Sequence, residues 1–480
     1  MKRRLKDLLF MPVDPSMGLL FCGIASLAIW LVAAYAPGVT GPLLGRVIAK
    51  PGTLPEGSQT WLLLLAFVPY VLGYRAVSRV PLKNARGVTA IFAALIAVVL
   101  VAKIVPFVSH DIFIYAFQGR AVAVHGVNPY EVFPSQIDDP FVPAMGEWLS
   151  GLKDTYGPLW TDVTAIAAAV AGDHYAALLA GLKGIAAMFF LAGIPLIALL
   201  VDADRKRPAA LRDGAILLYA WNPALLLEFA GNGHNDSAMI FFLLLALVFA
   251  ERRKHALSGL ALAASFLMKH VTVLAVPFFA AQAMAAEGGP LRQRLRVLGR
   301  FVMPMAAATV VAYAPYWIGV ATFHGLSQQA THVGMDIASP LAFAVAFAVG
   351  GPNGVLDQRT LDIAGPISFD LFAISMALLV FTLLRRKIGS LRRSAFAPVA
   401  CYLAMACLWF MPWYLTWLAP VFVLEGAAAV AVTMGVADLL LYGVIYTGPL
   451  LGAAVVAAAM ASTLLARASR PPVTEIATDV

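Results

Sequence analysis

VTAIFAALIAVVLVAKIVPF, residues 88–107, is a run of twenty residues whose one charged side chain is Lys103. A helix that crosses a hydrocarbon core needs about 20 mostly apolar residues, and comparable runs recur along the chain, for instance at 17–37. Of the 480 residues 61% are hydrophobic and 12% charged, against about 25% charged in an ordinary soluble domain. A water-soluble fold could not bury that much apolar surface. The bilayer is therefore the solvent, and because lipid leaves every backbone polar group to be satisfied internally, the fold class is an all-α polytopic membrane protein.

The formal net charge is +8, but no nucleic-acid partner is expected, because the basic residues are placed for topology. Short clusters at 2–6, 75–86, 205–212, 252–254, 292–300, 385–393 and 467–470 hold 26 of the 34 Lys and Arg and alternate with apolar runs. This is the positive-inside pattern. With all clusters on the cytoplasmic side, the chain crosses an even number of times between neighbours. The parity gives crossings at 17–37, 60–74 and 88–107, an extracytoplasmic loop at 108–156, and crossings at 175–201, 211–229 and 234–250 with the GNGHND turn outside. The segment 255–284 crosses twice, turning at Lys269 and His270. Crossings at 301–318, 366–384, 396–410, 414–424, 427–446 and 450–465 complete about 14. The segments 161–172 and 340–350 are too short to span and read as re-entrant or interfacial. Four regions follow: N-terminal helices (1–107), the outer loop (108–174), the remaining bundle (175–466) and a disordered cytoplasmic tail (467–480). No internal repeat is visible. Cys22, Cys401 and Cys407 lie in apolar runs without metal spacing, so neither a disulfide framework nor a zinc site is expected.

Ionisable groups inside spans are rare and usually functional. Lys103, Lys183 and Lys269 all map toward the outer leaflet. Lys103 can snorkel to the headgroups, and Lys183 can neutralise an acid such as Glu228. Lys269 with His270 sits at a break between two short helices, where a phosphate can be held by a cation and free helix ends. In SHDIFIYAFQGRAVAVHGVNPY, 109–130, Asp111, Tyr115 and Gln118 share one helical face, opposite a Phe113, Phe117, Ala121 stripe, which predicts an amphipathic helix along the outer interface. The bland alternative is that Asp111 merely caps that helix. In WNPALLLEFAGNGHND, 221–236, Pro223 interrupts the helix, Glu228 and Asn232 share a face, and Gly231 and Gly233 permit a tight turn around His234 and Asp236.

Asp111 with Tyr115 and Gly119, HGVNPY from His125, YGPLW from Tyr156, WNP from Trp221, GHND from Gly233, MKH from Met268 and PWYLTWLAP from Pro412 follow one another between residues 108 and 420. In this order and spacing they resemble the polyprenyl-phosphate-mannose-dependent mannosyltransferases of actinobacterial lipoglycan synthesis, α-1,6-mannosyltransferase-like members of the C-type (GT-C) glycosyltransferase superfamily. The resemblance implies a GT-C-like bundle of about 14 transmembrane helices, with interfacial or re-entrant helices in the first large extracytoplasmic loop. It also implies an inverting transfer of a hexose, mannose by the resemblance, from a polyprenyl-phosphate-sugar donor to a glycan or lipid acceptor. The reaction would take place on the extracytoplasmic face of the cell's inner membrane, with both termini cytoplasmic and membrane lipids as surroundings.

In that superfamily the acid of the first large outer loop is the general base, which carries over to Asp111. Many members have two acids in a D-x-D or E-x-D pair; here Ser109 and His110 precede the aspartate, and no metal or other cofactor is assigned. The residues fit the chemistry: a carboxylate takes the acceptor proton, and a cation stabilises the charge on the departing phosphate. Asp111 and Lys269 are expected in those two roles. His270, Arg120 and Lys183 are expected as further donor-phosphate contacts. Tyr115, Asn128, Tyr130, Tyr156, Glu228, His234, Asn235 and Asp236 are expected to contact sugar or acceptor, with Trp413, Tyr414 and Trp417 as an aromatic wall. A lipid or polyisoprenoid-sugar flippase would also combine many spans with buried charges, spread along a pore. Here the charges gather on one side under the 108–156 loop, which favours an enzyme working at one face.

Overall fold

The computed structural model describes residues 14–35, 60–287, 289–330, 339–350, 358–384 and 391–444, and the elements among them are helices, with no strand. In chain order the longer helices are α1 (Pro15–Tyr35), α2 (Phe67–Arg79), α3 (Ala85–Ala102), α4 (Asp111–Ala123), α5 (Pro158–Ala171), α6 (Tyr175–Ala203), α7 (Ala209–Ala220) and α8 (Asp236–Glu251). They continue with α9 (His255–Met268), α10 (Val276–Glu287), α11 (Leu291–Tyr313), α12 (Pro340–Gly350), α13 (Gln358–Leu384), α14 (Leu391–Met405), α15 (Ala419–Leu424) and α16 (Ala428–Val444).

Seven helical stretches are long and apolar enough to cross a bilayer: Pro15–Tyr35, Ala85–Ala102, Tyr175–Ala203, Ala209–Gly231, His270–Glu287, Leu291–Tyr316 and Asp362–Thr382. This is a membrane protein, with half the expected number of full-length spans among the described residues. The other apolar helices are shorter because the chain breaks them. The return expected at 60–74 is divided at Ala66 into Thr60–Leu65 and α2, and α9 stops at Lys269, whose extended backbone (φ −151°, ψ 122°) ends the helix. The crossing expected at 450–465 and the tail at 467–480 lie outside the described residues.

Helix α3 shows why such a sequence needs lipid. Phe92, Ala93, Ile96, Ala97 and Leu100 are buried against the bundle, while Ile91, Leu95 and Val98 are exposed on the outward stripe. A helix apolar on both faces is stable only where its outer face meets hydrocarbon.

The charged ends of the helices come together. Arg86 at the start of α3 pairs with Asp202 at the end of α6 (2.7 Å) and with Asp213 in α7 (2.6 Å). Arg392 pairs with Glu251 (2.6 Å), Arg393 with Glu425, and Arg207 donates to the Leu424 carbonyl (3.0 Å). Basic clusters far apart in sequence therefore share one end of the bundle. The C-terminal ends of α3 and α9, which lead to Asp111 and Lys269, lie at the other.

Helix α4 departs from the interfacial expectation: Asp111 through Ala121 are all buried. The reason is α5, which lies along it. Gly119 makes this approach possible, since a Cβ there would collide with the Thr164 carbonyl. The predicted polar face does meet one segment. Tyr156 donates to Asp111, and Gln118 donates to Asp154 at 2.8 Å. Asp154 also accepts the Tyr156 N–H (2.8 Å) and the Thr161 hydroxyl (2.9 Å), so it latches the loop to α4 and α5. Burial outweighs these donors and pushes its carboxyl up to about 7.

Two outcomes follow from this packing. Gly119→Ala should force α4 and α5 apart and destabilise the protein by about 1–3 kcal/mol, read as a lower unfolding midpoint in detergent; an unchanged midpoint would contradict the close packing. For Asp154, the folded chain keeps a proton that an unfolded carboxyl of pKa about 3.9 has released. Its contribution to stability thus falls as pH rises from about 4 to about 7, with the loss complete above that. Asp154→Asn should flatten this slope, checked by unfolding midpoints at about pH 5 and about pH 8.

Candidate active site

The site is organised by the turn at residues 231–236. Asn222 accepts the Ala224 N–H at 3.0 Å and restarts the helix after Trp221 with Pro223 in its first turn. The helix then widens into a π-helical turn, Leu226–Gly231, a feature frequent at functional sites. Gly233 takes a left-handed backbone, φ +81°, with the Lys183 chain 3.0 Å from where a Cβ would stand. Glycine adopts that conformation without strain. Because α8 begins at Asp236, His234 lies in the turn and not in the helix.

Each polar side chain of this turn reaches a different part of the chain. Asn232 accepts the backbone N–H groups of Phe107 (3.0 Å) and Val108 (3.2 Å) just before Asp111. His234 Nδ1 stands 3.5 Å from Asp111 Oδ2, and its Nε2 3.2 Å from Glu228 Oε2; these are ion-pair separations and not aligned hydrogen bonds. Asn235 accepts from the Tyr115 hydroxyl (3.2 Å) and donates to the Met268 carbonyl (3.2 Å). Asp236 receives Lys269 Nζ at 2.9 Å and the Trp417 indole N–H. Asp111 and Lys269 are thereby brought to one place from segments far apart in sequence.

Tyr156 joins the two. Its hydroxyl donates to Asp111 Oδ2 at 3.0 Å, and its ring lies 5.7 Å from the Lys269 ammonium. Gly157 allows this, since a Cβ there would strike the Leu267 carbonyl beside Lys269. The Asp111 side chain does not cap α4; Ser109 Oγ accepts its backbone N–H instead (3.2 Å). Burial acts to raise the Asp111 carboxyl, but His234, Lys269 and Tyr156 together hold it below the ordinary aspartate value. Burial likewise disfavours a charged His234, yet the carboxylates of Asp111 and Glu228 lift the ring to about 9.

Trp413, Tyr414 and Trp417 gather around this site. Trp413 stacks on His234 with ring centroids 4.2 Å apart, and Tyr414 stacks on Trp417 at 4.1 Å. The Lys269 ammonium stands over Tyr414 (4.9 Å) and Trp417 (5.2 Å). A cavity of about 270 Å³ opens beside it, lined by Lys269, Tyr156 and Tyr414 together with the apolar Val273, Leu274 and Phe369. Val273 and Phe369 are exposed on the surface of the bundle, so the cavity meets the lipid-facing side. His270 lines the same cavity, but its two nitrogens already have partners in the Thr155 carbonyl (3.2 Å) and the Tyr313 hydroxyl (2.7 Å).

Other expected contacts are placed elsewhere. Arg120 is committed to Asp139 (2.8 Å), which also meets His125. Lys183 donates to the Leu100 carbonyl (2.7 Å) and the Lys103 carbonyl, closing the end of α3 and not neutralising Glu228. Lys103 donates to the Val105 carbonyl at 3.0 Å. Asn128 holds the Tyr316 carbonyl (3.1 Å) and Tyr130 the Tyr156 carbonyl (2.9 Å), so both frame the loop. Glu228 is fully buried behind His234. The motif reading missed Asp438 and Tyr442 of α16, which close around Glu228; a lone acid in an apolar helix was their signal. Among the described residues no group of three or more His, Cys, Asp or Glu side chains is set to hold a metal ion.

The site can therefore accept a proton at Asp111 and stabilise an anion at Lys269, next to an apolar recess. No curated protein and no solved structure matches the chain. The sequence model of the MptA_B family, described as the alpha-(1->6)-mannopyranosyltransferase N-terminal domain, matches residues 17–285, a segment that holds Asp111, Tyr156, His234, Asp236 and Lys269. An enzyme family is thereby favoured over a flippase. With more than half of its length matched, the chain belongs to the alpha-(1->6)-mannopyranosyltransferase family and is a membrane mannosyltransferase.

Proposed function

We propose that the chain transfers mannose from a polyprenyl-phosphate donor to a hydroxyl of a glycan or lipid acceptor by a single inverting displacement. The observation that carries this reading is the meeting of Asp111 and Lys269 around Tyr156. The acceptor oxygen attacks the anomeric carbon as Asp111 takes its proton, and the bond from that carbon to the phosphate oxygen breaks. Lys269 stabilises the charge gathering on the phosphate. Its ammonium carries three donors, of which Asp236 takes one, and Asp236 in turn is held by Trp417. The apolar recess between Val273 and Phe369 suits a polyprenyl chain entering from the bilayer.

The clustering of basic residues at one end of the bundle supports an orientation. With the basic end facing the cytoplasm, the site faces the extracytoplasmic surface of the inner membrane, both termini are cytoplasmic, and the shorter apolar helices complete further crossings. Working at that surface, the enzyme needs no soluble nucleotide-sugar, and a lipid-linked donor can reach Lys269 without leaving the membrane.

With purified protein and a labelled polyprenyl-phosphate mannose, Asp111→Asn should lower turnover by about 10²-fold or more at an unchanged unfolding midpoint. Full turnover by this variant would remove Asp111 from the chemistry. Lys269→Met should raise the donor KM by about tenfold or more, the loss of one charge-assisted contact. An unchanged donor KM would assign Lys269 to Asp236 alone.

A further inference from the structure

Behind His234 lies a second pair of carboxyl groups that the transfer step does not use. Glu228 on the π-helical turn and Asp438 on α16 are both fully buried and stand against each other. Glu228 Oε2 accepts from Asn232 (2.9 Å) and from the Tyr442 hydroxyl (3.2 Å), and faces His234 Nε2 at 3.2 Å. The other three oxygens, Glu228 Oε1 and both of Asp438, meet no donor among the described residues. Buried acceptors facing one another without a donor are strongly unfavourable. A proton between the two groups removes the conflict, because it turns one carboxyl into a donor and reduces two adjacent charges to one. The other ionisable groups around the pair are His234 and Asp236 of the turn, Tyr442 of α16 and, beyond the imidazole, Asp111 of α4.

We propose that Glu228 and Asp438 hold one proton between them and act as a single anion that fixes His234 as a doubly protonated ring, with its Nδ1–H held on Asp111. Glu228 and Asp438 are then positioning residues. With Nε2–H turned to Glu228, Nδ1–H faces Asp111 Oδ2, the oxygen that Tyr156 also holds. The Tyr156 hydrogen bond and the charge of the imidazolium, both on one oxygen, set the plane of the carboxylate before the acceptor arrives. The inference rests on Asp111 being the general base, as proposed above.

The test uses the full-length enzyme in detergent. Asp438→Ala and Glu228→Gln should lower kcat by about 10²-fold, the scale of a misoriented catalytic group, with the donor KM within about twofold of wild type. Asp438→Asn places an amide donor permanently against Glu228 and should restore at least about tenfold of the kcat lost in Asp438→Ala. In the infrared, the wild type should show the carbonyl stretch of a buried carboxylic acid that Asp438→Asn lacks. Asp154 contributes a similar band to both proteins, so the readout is the wild-type minus Asp438→Asn difference spectrum, where absence of the band would show both groups ionised and overturn the shared proton. Wild-type kcat in Asp438→Ala and Glu228→Gln, with Asp111→Asn inactive, would overturn the positioning role and leave the base in place. Turnover by Asp111→Asn would instead sink the proposed function, while the infrared band would still report on the proton.

Discussion

The structure depends on the need of one buried turn to satisfy its polar groups. Residues 231–236 carry Asn232, His234, Asn235 and Asp236, all without solvent exposure, and in so dry a place each must find a partner in the chain. Their partners are the backbone before Asp111, Asp111 itself, Tyr115, the end of α9 and Lys269. The turn thus acts as a template on which distant segments are registered. The π-helical widening before it and the left-handed Gly233 within it give the local geometry that aims four side chains in different directions.

The same hub divides the charges. Acid and cation are interleaved, Glu228, His234, Asp111 on one branch and Asp236, Lys269 on the other, and opposite charges that close in a low-dielectric site sustain one another. Aromatic rings rather than aliphatic chains cover them: Trp413 on His234, and Tyr414 and Trp417 under Lys269. Such rings accept a cation on their faces and exclude water. The pairing of basic clusters at the far end of the bundle keeps the helices in register along their length.

Much of this was legible from residue type and spacing. A lysine at a helix break inside an apolar run is costly enough to flag itself, and Lys269 stands at the site. The shared helical face of Asp111, Tyr115 and Gln118 follows from period alone, and the three do meet the 154–156 segment and the hub. What failed were readings that needed a partner. Arg120 and Lys183 looked available, but Asp139 and the backbone carbonyls that claim them carry no sequence signature of the pairing. The burial of α4 depends on the contact of Gly119 with α5, a tertiary fact. Seven full-length spans stand among the described residues where about 14 crossings were expected, because charge parity orders the ends of helices but says nothing of where Ala66 or Lys269 will break them.

In the proposed function, a proton acceptor and a lipid-phosphate clamp share one site at the end of the bundle away from the basic clusters. A cryo-electron microscopy map of the protein with bound polyprenyl phosphate tests it most directly. Phosphate density is expected within hydrogen-bond reach of Lys269 Nζ, on the Asp111 side of Tyr156, with the isoprenoid chain leaving past Val273 and Phe369. Phosphate density seated among Arg207, Arg392 and Arg393, with none at Lys269, would contradict it.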